Sequence, residues 1–138
     1  MSISILIVDD HSMVRFGLRR HLEAQDGFLV VGEAVNGRQG VAKAAELLPD
    51  LIVMDIAMPE MDGIEATRLI CGELPQVKVL MLSIYDSSDN CTRALHSGAM
   101  GYILKESASE EIVTAIHTVL RGELFFGSGV ENPAATRH

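Results

Sequence analysis

Four apolar runs in this chain each end in residues able to do chemistry. ILIV leads into Asp9 and Asp10, LIVM into Asp55, VLML into Ser83, and GYIL into Lys105. In a parallel sheet the carboxyl ends of the strands share one edge, so residues at these positions converge. Carboxylates gathered there repel one another. Two unit charges about 4 Å apart cost about 4 kcal/mol at an effective dielectric of 20. A hard divalent cation with oxygen ligands offsets that repulsion, and Mg2+ suits a few carboxylates plus waters. Lys105 adds a fixed positive charge. A carboxylate beside such a cation and an ammonium is prepared to attack phosphorus. The product is an aspartyl phosphate on Asp55, with Ser83 donating a hydrogen bond to a phosphoryl oxygen and the acidic pair acting through the metal.

The elements that must position these groups alternate along the chain. The branched apolar run Ile3–Val8 reads as a buried strand, and Phe28–Ala34 as a second, after the turn residues Asp26 and Gly27. Residues 51–54, 77–82 and 102–104 supply three more. Between them lie helical patterns. Met13, Phe16, Gly17, Leu18 and Leu22 follow a helical period over residues 12–24. Asn36 caps a helix that Pro49 ends, and Asp62 caps one running to about Cys71. Residues 87–96 form a helix that stops at Ser97-Gly98. Ser107 or Ser109 caps a last helix with Ile112, Val113, Ile116, Val119 and Leu120 on one stripe and Gly122 at its end. Strand–helix alternation of this kind implies an α/β fold, a doubly wound five-stranded parallel sheet in the order 2-1-3-4-5, joined by right-handed crossovers. Residues 1–122 make one domain. Residues 123–138 have no amphipathic period and read as a linker stub or tail, flexible beyond about Gly127.

Composition excludes several classes. With 48% hydrophobic and 22% charged residues the chain is folded rather than disordered, and 4% aromatics without Trp make the core aliphatic. A net charge of −8 argues against nucleic-acid binding by this chain. Cys71 and Cys91 have no metal-ligand spacing and read as reduced thiols. The N-terminal apolar run is too short for a signal peptide, and no stretch approaches the roughly 20 apolar residues of a membrane span, so cytoplasm is the expected location. Met54, Met81 and Met100 read as core filling.

At this point the chain resembles the receiver domains of bacterial two-component response regulators, over about residues 3–122. The resemblance rests on VDD at Asp9–Asp10, on D-x-x-M-P-x-x-D-G from Asp55 to Gly63, on Ser83, and on GYILK ending at Lys105. The runs VDDHSMVRFGL, LSIYD and RGELFF are similar to the NarL/FixJ subgroup, in which a LuxR-type helix-turn-helix output domain follows the receiver. The resemblance implies a CheY-like fold and a phosphoacceptor domain rather than an enzyme. Asp55 would take a phosphoryl group from the phosphohistidine of a sensor histidine kinase. It implies Mg2+ held by Asp10, Asp55 and the backbone carbonyl of Ala57, with Asp9 acting partly through water. It also implies a phosphoryl pocket made with Ser83 and Lys105, and a switch pair of Ser83 and Tyr102, the ring turning inward when Ser83 moves. The fourth helix, fifth strand and fifth helix would report the change and regulate the output domain. Whether the domain forms a homodimer, through its first and fifth helices or its fourth, is left open by the helical stripes.

Two positions depart from the family pattern. Ile84 follows the switch hydroxyl where a small residue is usual, and would narrow access to Asp55. Glu106 follows the lysine where proline with a cis bond is common. The Lys105–Glu106 bond is expected to be cis all the same, so that the lysine points into the site, although a cis non-proline bond costs about 3–4 kcal/mol. These departures sustain a rival reading, a pseudo-receiver that binds a partner without phosphorylation. A phosphohydrolase would want an acid two residues after the nucleophile, where Ala57 stands. A dinucleotide-binding module would want a Gly-rich loop where the chain reads DDHSMV. His11 reads as a loop histidine beside the acids, and Asp62-Gly63 as a turn and helix cap.

Overall fold

A computed structural model describes residues 2–85 and 87–130. Its elements are β1 (Ile3–Val8), α1 (Ser12–Glu23), β2 (Phe28–Ala34), α2 (Gly37–Leu47), β3 (Leu51–Asp55), α3 (Gly63–Glu73), β4 (Lys78–Ser83), α4 (Ser88–Ser97) and β5 (Gly101–Leu104). A single 3-10 turn (Lys105–Ser107), α5 (Ala108–Leu120) and β6 (Phe125–Phe126) complete it. The sheet order is β2-β1-β3-β4-β5-β6, and every neighbouring pair is parallel.

Helices cover both faces of the sheet, which is why its strands are apolar at nearly every position. Side chains alternate between two cores. Leu6, Val8, Ile52, Met54, Val79, Met81, Tyr102 and Leu104 pack with residues of α2, α3 and α4. Ile5, Ile7, Leu51, Val53, Leu80, Leu82 and Ile103 pack with α1 and α5. Three helix starts are capped by side chains, but the last is not: Ser107 stands before α5 without a side-chain cap hydrogen bond and Ser109 lies within it, contrary to expectation. Asn36, Asp62 and Ser87 each accept a hydrogen bond from the backbone N–H three residues on, and Gly98, at φ 116, closes α4.

Two further expectations need correction. The sheet has six strands rather than five, because Phe125–Phe126 pairs with β5. A strand of two residues carries no period to read. On α1, Leu18 and Leu22 are buried but Met13 and Phe16 are 78% and 57% exposed. Leu18 and Leu22 share the face turned to the sheet, whereas Met13 and Phe16 lie on the far side of the helix, so these positions do not form one stripe. Phe16 instead lies under the Arg20 guanidinium, 5.7 Å from the ring centre.

One glycine fixes where the site sits. A Cβ on Gly63 would lie 2.1 Å from the carbonyl oxygen of Asp55, and the Gly63 N–H donates to the Ile56 carbonyl at 2.8 Å. The start of α3 therefore meets the end of β3 backbone to backbone. Gly63→Ala is expected to destabilise the domain by about 2 kcal/mol in urea melts, since backbone must move. Gly17→Ala, in the middle of α1 with open space around it, should gain about 0.5–1 kcal/mol in the same assay.

Candidate functional site

β1, β3, β4 and β5 finish on one edge, and the residues there come together. Asp9 follows β1, Asp55 ends β3, Ser83 ends β4 and Lys105 follows β5. Asp9, Asp55 and Ser83 are buried, at 0%, 2% and 1% exposure. The Lys105 ammonium bridges the two acids, with Nζ 2.9 Å from Asp9 Oδ2 and 3.3 Å from Asp55 Oδ1. The other oxygen of Asp55, Oδ2, is buried and has no hydrogen-bond partner. Asp55 lines a cleft of about 50 Å³ together with His11, Ala57, Ser83, Ile84, Tyr85 and Lys105. A buried carboxylate oxygen without a partner is costly in the free domain and marks where a ligand atom belongs.

Asp9 is held from several sides. The His11 N–H donates to its Oδ1 at 2.8 Å, and Arg15 Nη1 donates to its carbonyl at 2.8 Å. Arg15 is itself fixed by Glu33, with Nε 3.0 Å from Oε1, and Arg19 holds the second oxygen at 2.7 Å. These bonds, Arg19's first, keep the Glu33 carboxyl below its usual range. Sequence reading missed Arg15 and Glu33 because the pair spans 18 residues and each looks like an ordinary helix or strand charge. His11 is also closer than a bland loop residue. Its Nδ1 lies 3.2 Å from Asp9 Oδ1 and 3.1 Å from Asp10 Oδ1.

Ser83 Oγ accepts the Tyr85 N–H at 2.9 Å. That bond uses a lone pair, so the hydroxyl hydrogen remains available to donate. Tyr102 is fully buried, and its hydroxyl donates to the Tyr85 carbonyl at 2.9 Å. Ile84 and Tyr85 stand at the mouth of the cleft, 66% and 52% exposed, while Glu106 is exposed. The expected cis Lys105–Glu106 bond is not found; no peptide bond among the described residues is cis. The chain passes from β5 directly into the 3-10 turn, and the length of the lysine side chain is enough to reach both acids. No cis peptide is needed to aim it.

Ligand atoms of Asp9, Asp10, His11 and Asp55 all lie within 4.8 Å of one another. This oxygen-rich donor set, with its unpartnered Asp55 Oδ2, fits a hard divalent cation such as Mg2+. Burial first, then the charge of Asp9, pushes the Asp55 carboxyl up to about 6, while Lys105 opposes the rise. Burial works against the Lys105 ammonium too, but Asp9 and Asp55 hold it above its usual range.

Without a cation, folded Asp55 keeps a proton that the unfolded chain releases in the ordinary carboxylate range. This term favours folding at pH values below about 4 and is lost as pH rises through about 6. In the presence of chelator, Asp55→Asn should therefore be more stable than the parent by about 2 kcal/mol at pH 7.5. The gap should shrink as pH falls below about 6 and close by about pH 4, as read from urea melts across that range.

Comparison with known proteins agrees with this geometry. The family model described as the response regulator receiver domain matches residues 5–117. The response regulator protein VraR of Staphylococcus aureus is 47% identical over 126 residues, covering 91% of this chain and 60% of the relative. The chain thus spans about 60% of the length of the curated relatives it matches. A two-component response regulator of the LuxR family from Aurantimonas sp. is 36% identical with a TM-score of 0.86, covering 91% of this chain and 89% of that one. The signal receiver domain of the putative response regulator NarL from Mycobacterium tuberculosis is 32% identical with a TM-score of 0.84, covering 88% of this chain and 98% of that one.

Proposed function

The chain belongs to the response regulator receiver domain family, and from that premise we propose that Asp55 is its phosphoacceptor, taking a phosphoryl group from the phosphohistidine of a sensor histidine kinase. The observation that carries this reading is that Asp55, whose Oδ2 is buried and unpartnered, lines one cleft with Ser83 and Lys105. Oδ2 attacks phosphorus. The bond from phosphorus to the kinase imidazole breaks as the new P–O bond forms, and its electron pair returns to the imidazole nitrogen. Lys105 lies beside Asp55 Oδ1 and offers its ammonium to a phosphoryl oxygen; Ser83 offers its hydroxyl hydrogen to another. Asp10, Asp55 and the Ala57 carbonyl would hold Mg2+, with Asp9 acting through water. When bound, Mg2+ supplies positive charge against the oxygens of the transferred group. The domain turns over only its own phosphorylation and a slow hydrolysis, since Ala57 provides no general acid or base.

The added group brings about −1.5 to −2 charges into a pocket that already holds two buried acids. Ser83 and Tyr102 are the residues we assign to the resulting switch. We assign the downstream partner as a LuxR-type helix-turn-helix output domain, in line with the LuxR-family relative, and cytoplasm as the location; no helix among the described residues is long and apolar enough to cross a membrane.

Intact-protein mass spectrometry after incubation with acetyl phosphate tests the chemistry. One phosphoryl group should be gained with Mg2+, and none with chelator or in Asp55→Asn. Loss of Mg2+ dependence, or gain in the Asn variant, would refute the assignment. Because Ile84 flanks the cleft mouth, Ile84→Ala should speed labelling roughly five-fold, about 1 kcal/mol of barrier, with the fold stability unchanged.

A further inference from the structure

The segment after α5 turns back at Gly122, φ 84, and lies along the edge of the sheet. Phe125 and Phe126 pair with Gly101 and Tyr102. The Phe125 N–H donates to the Met100 carbonyl at 3.0 Å, and the Gly127 N–H to the Tyr102 carbonyl at 2.9 Å. Ser128 then donates twice to Glu111 Oε2 on α5, from its N–H at 2.9 Å and its hydroxyl at 2.5 Å. Phe126 and Val130 pack into the core that contains Tyr102, and Phe125 into the core on the opposite face. Gly127 is buried so closely that a Cβ there would lie 2.6 Å from Glu111 Oε1 and 3.0 Å from the Ile103 side chain.

These contacts join the ones already described at the site. The Tyr85 N–H donates to Ser83 Oγ, the Tyr102 hydroxyl donates to the Tyr85 carbonyl, and the Gly127 N–H donates to the Tyr102 carbonyl. Three hydrogen bonds, joined through the Tyr85 backbone and the Tyr102 side chain, therefore link the Ser83 hydroxyl to the segment after α5. We propose that residues 123–130 are a strap whose docking on β5 is coupled to occupancy of the Asp55 site through Ser83, Tyr85 and Tyr102. The proposal rests on the phosphoacceptor reading.

The sign of the coupling follows from the direction of the bonds. Ser83 accepts from Tyr85 with a lone pair, so it can donate its hydrogen to a phosphoryl oxygen without breaking that bond. A hydroxyl that donates becomes a better acceptor, so a filled site strengthens the bond from the Tyr85 N–H and fixes the Tyr85 backbone, whose carbonyl receives the Tyr102 hydroxyl. Occupancy thus tightens the hold on Tyr85 and keeps the Tyr102 ring buried beside Phe126. The strap docks more firmly when the site is filled, and carries the state of the site to the residues after position 130.

The probe is beryllium fluoride with Mg2+, which mimics an acyl phosphate, and the readout is amide hydrogen exchange followed by NMR on the whole chain. Shifts at the Asp55 and Ser83 amides report occupancy. Exchange at the Gly127 and Val130 amides should slow at least five-fold on occupancy. In Tyr102→Leu the slowing should vanish while β1 amides stay protected. Gly127→Val should undock the strap and, by reciprocity, weaken beryllium fluoride binding by the same factor by which occupancy slows strap exchange in the parent. Occupancy shifts with unchanged exchange at Gly127, or unaltered affinity in Gly127→Val, would overturn the coupling. Absence of the occupancy shifts themselves would instead sink the phosphoacceptor reading, and the coupling with it.

Discussion

Two carboxylates, Asp9 and Asp55, are almost fully withdrawn from water on the same edge of the sheet, with one ammonium between them. Nothing about packing alone would favour this arrangement, because burying a charge is expensive unless it is paired. Lys105 neutralises only part of it, and Asp55 responds by holding its proton more tightly. The apolar architecture can be understood as the frame that keeps this unfavourable grouping in place. The strands beneath it are buried on both faces and cannot shift register without exchanging one core for the other. Asp9 is further pinned through Arg15 and Glu33, which tie it to α1 and β2. The free domain thus stores an excess of negative charge that a cation is suited to relieve.

Much of this was legible in the residues. Uninterrupted branched runs bounded by turn residues announced β1 to β5, and caps at Asn36 and Asp62 set helix starts that the structure places where they were read. The convergence of Asp9, Asp55, Ser83 and Lys105 followed from topology alone, since parallel strands bring their carboxyl ends to one edge. What could not be read depended on contacts between distant segments. Glu33 looks like any strand charge until Arg15 and Arg19 arrive from α1. Met13 and Phe16 face solvent because they lie on the side of α1 opposite Leu18 and Leu22, so an apolar residue in a helix does not by itself mark the buried face. Phe125 and Phe126 are too short a run to signal a strand, and are one only because β5 leaves an edge beside them. The cis bond expected after Lys105 assumed that backbone geometry had to aim the lysine, where side-chain reach sufficed.

The site is also uneven in how firmly its walls are built. On the side of β3, Gly63 lets α3 press its backbone against the carbonyl of Asp55, with no side chain between them. Close-packed backbone has no rotamers to change and little volume to give up, so this wall acts as an anvil. Across the cleft, Ile84 and Tyr85, which follow β4, have exposed side chains. Force developed at Asp55 by an incoming charged group therefore finds one stiff support and one compliant one. A displacement imposed by a ligand at Asp55 would be taken up on the compliant side, with α3 and β3 as the fixed reference. A missing methyl group at position 63 thereby gives the domain a direction of recoil.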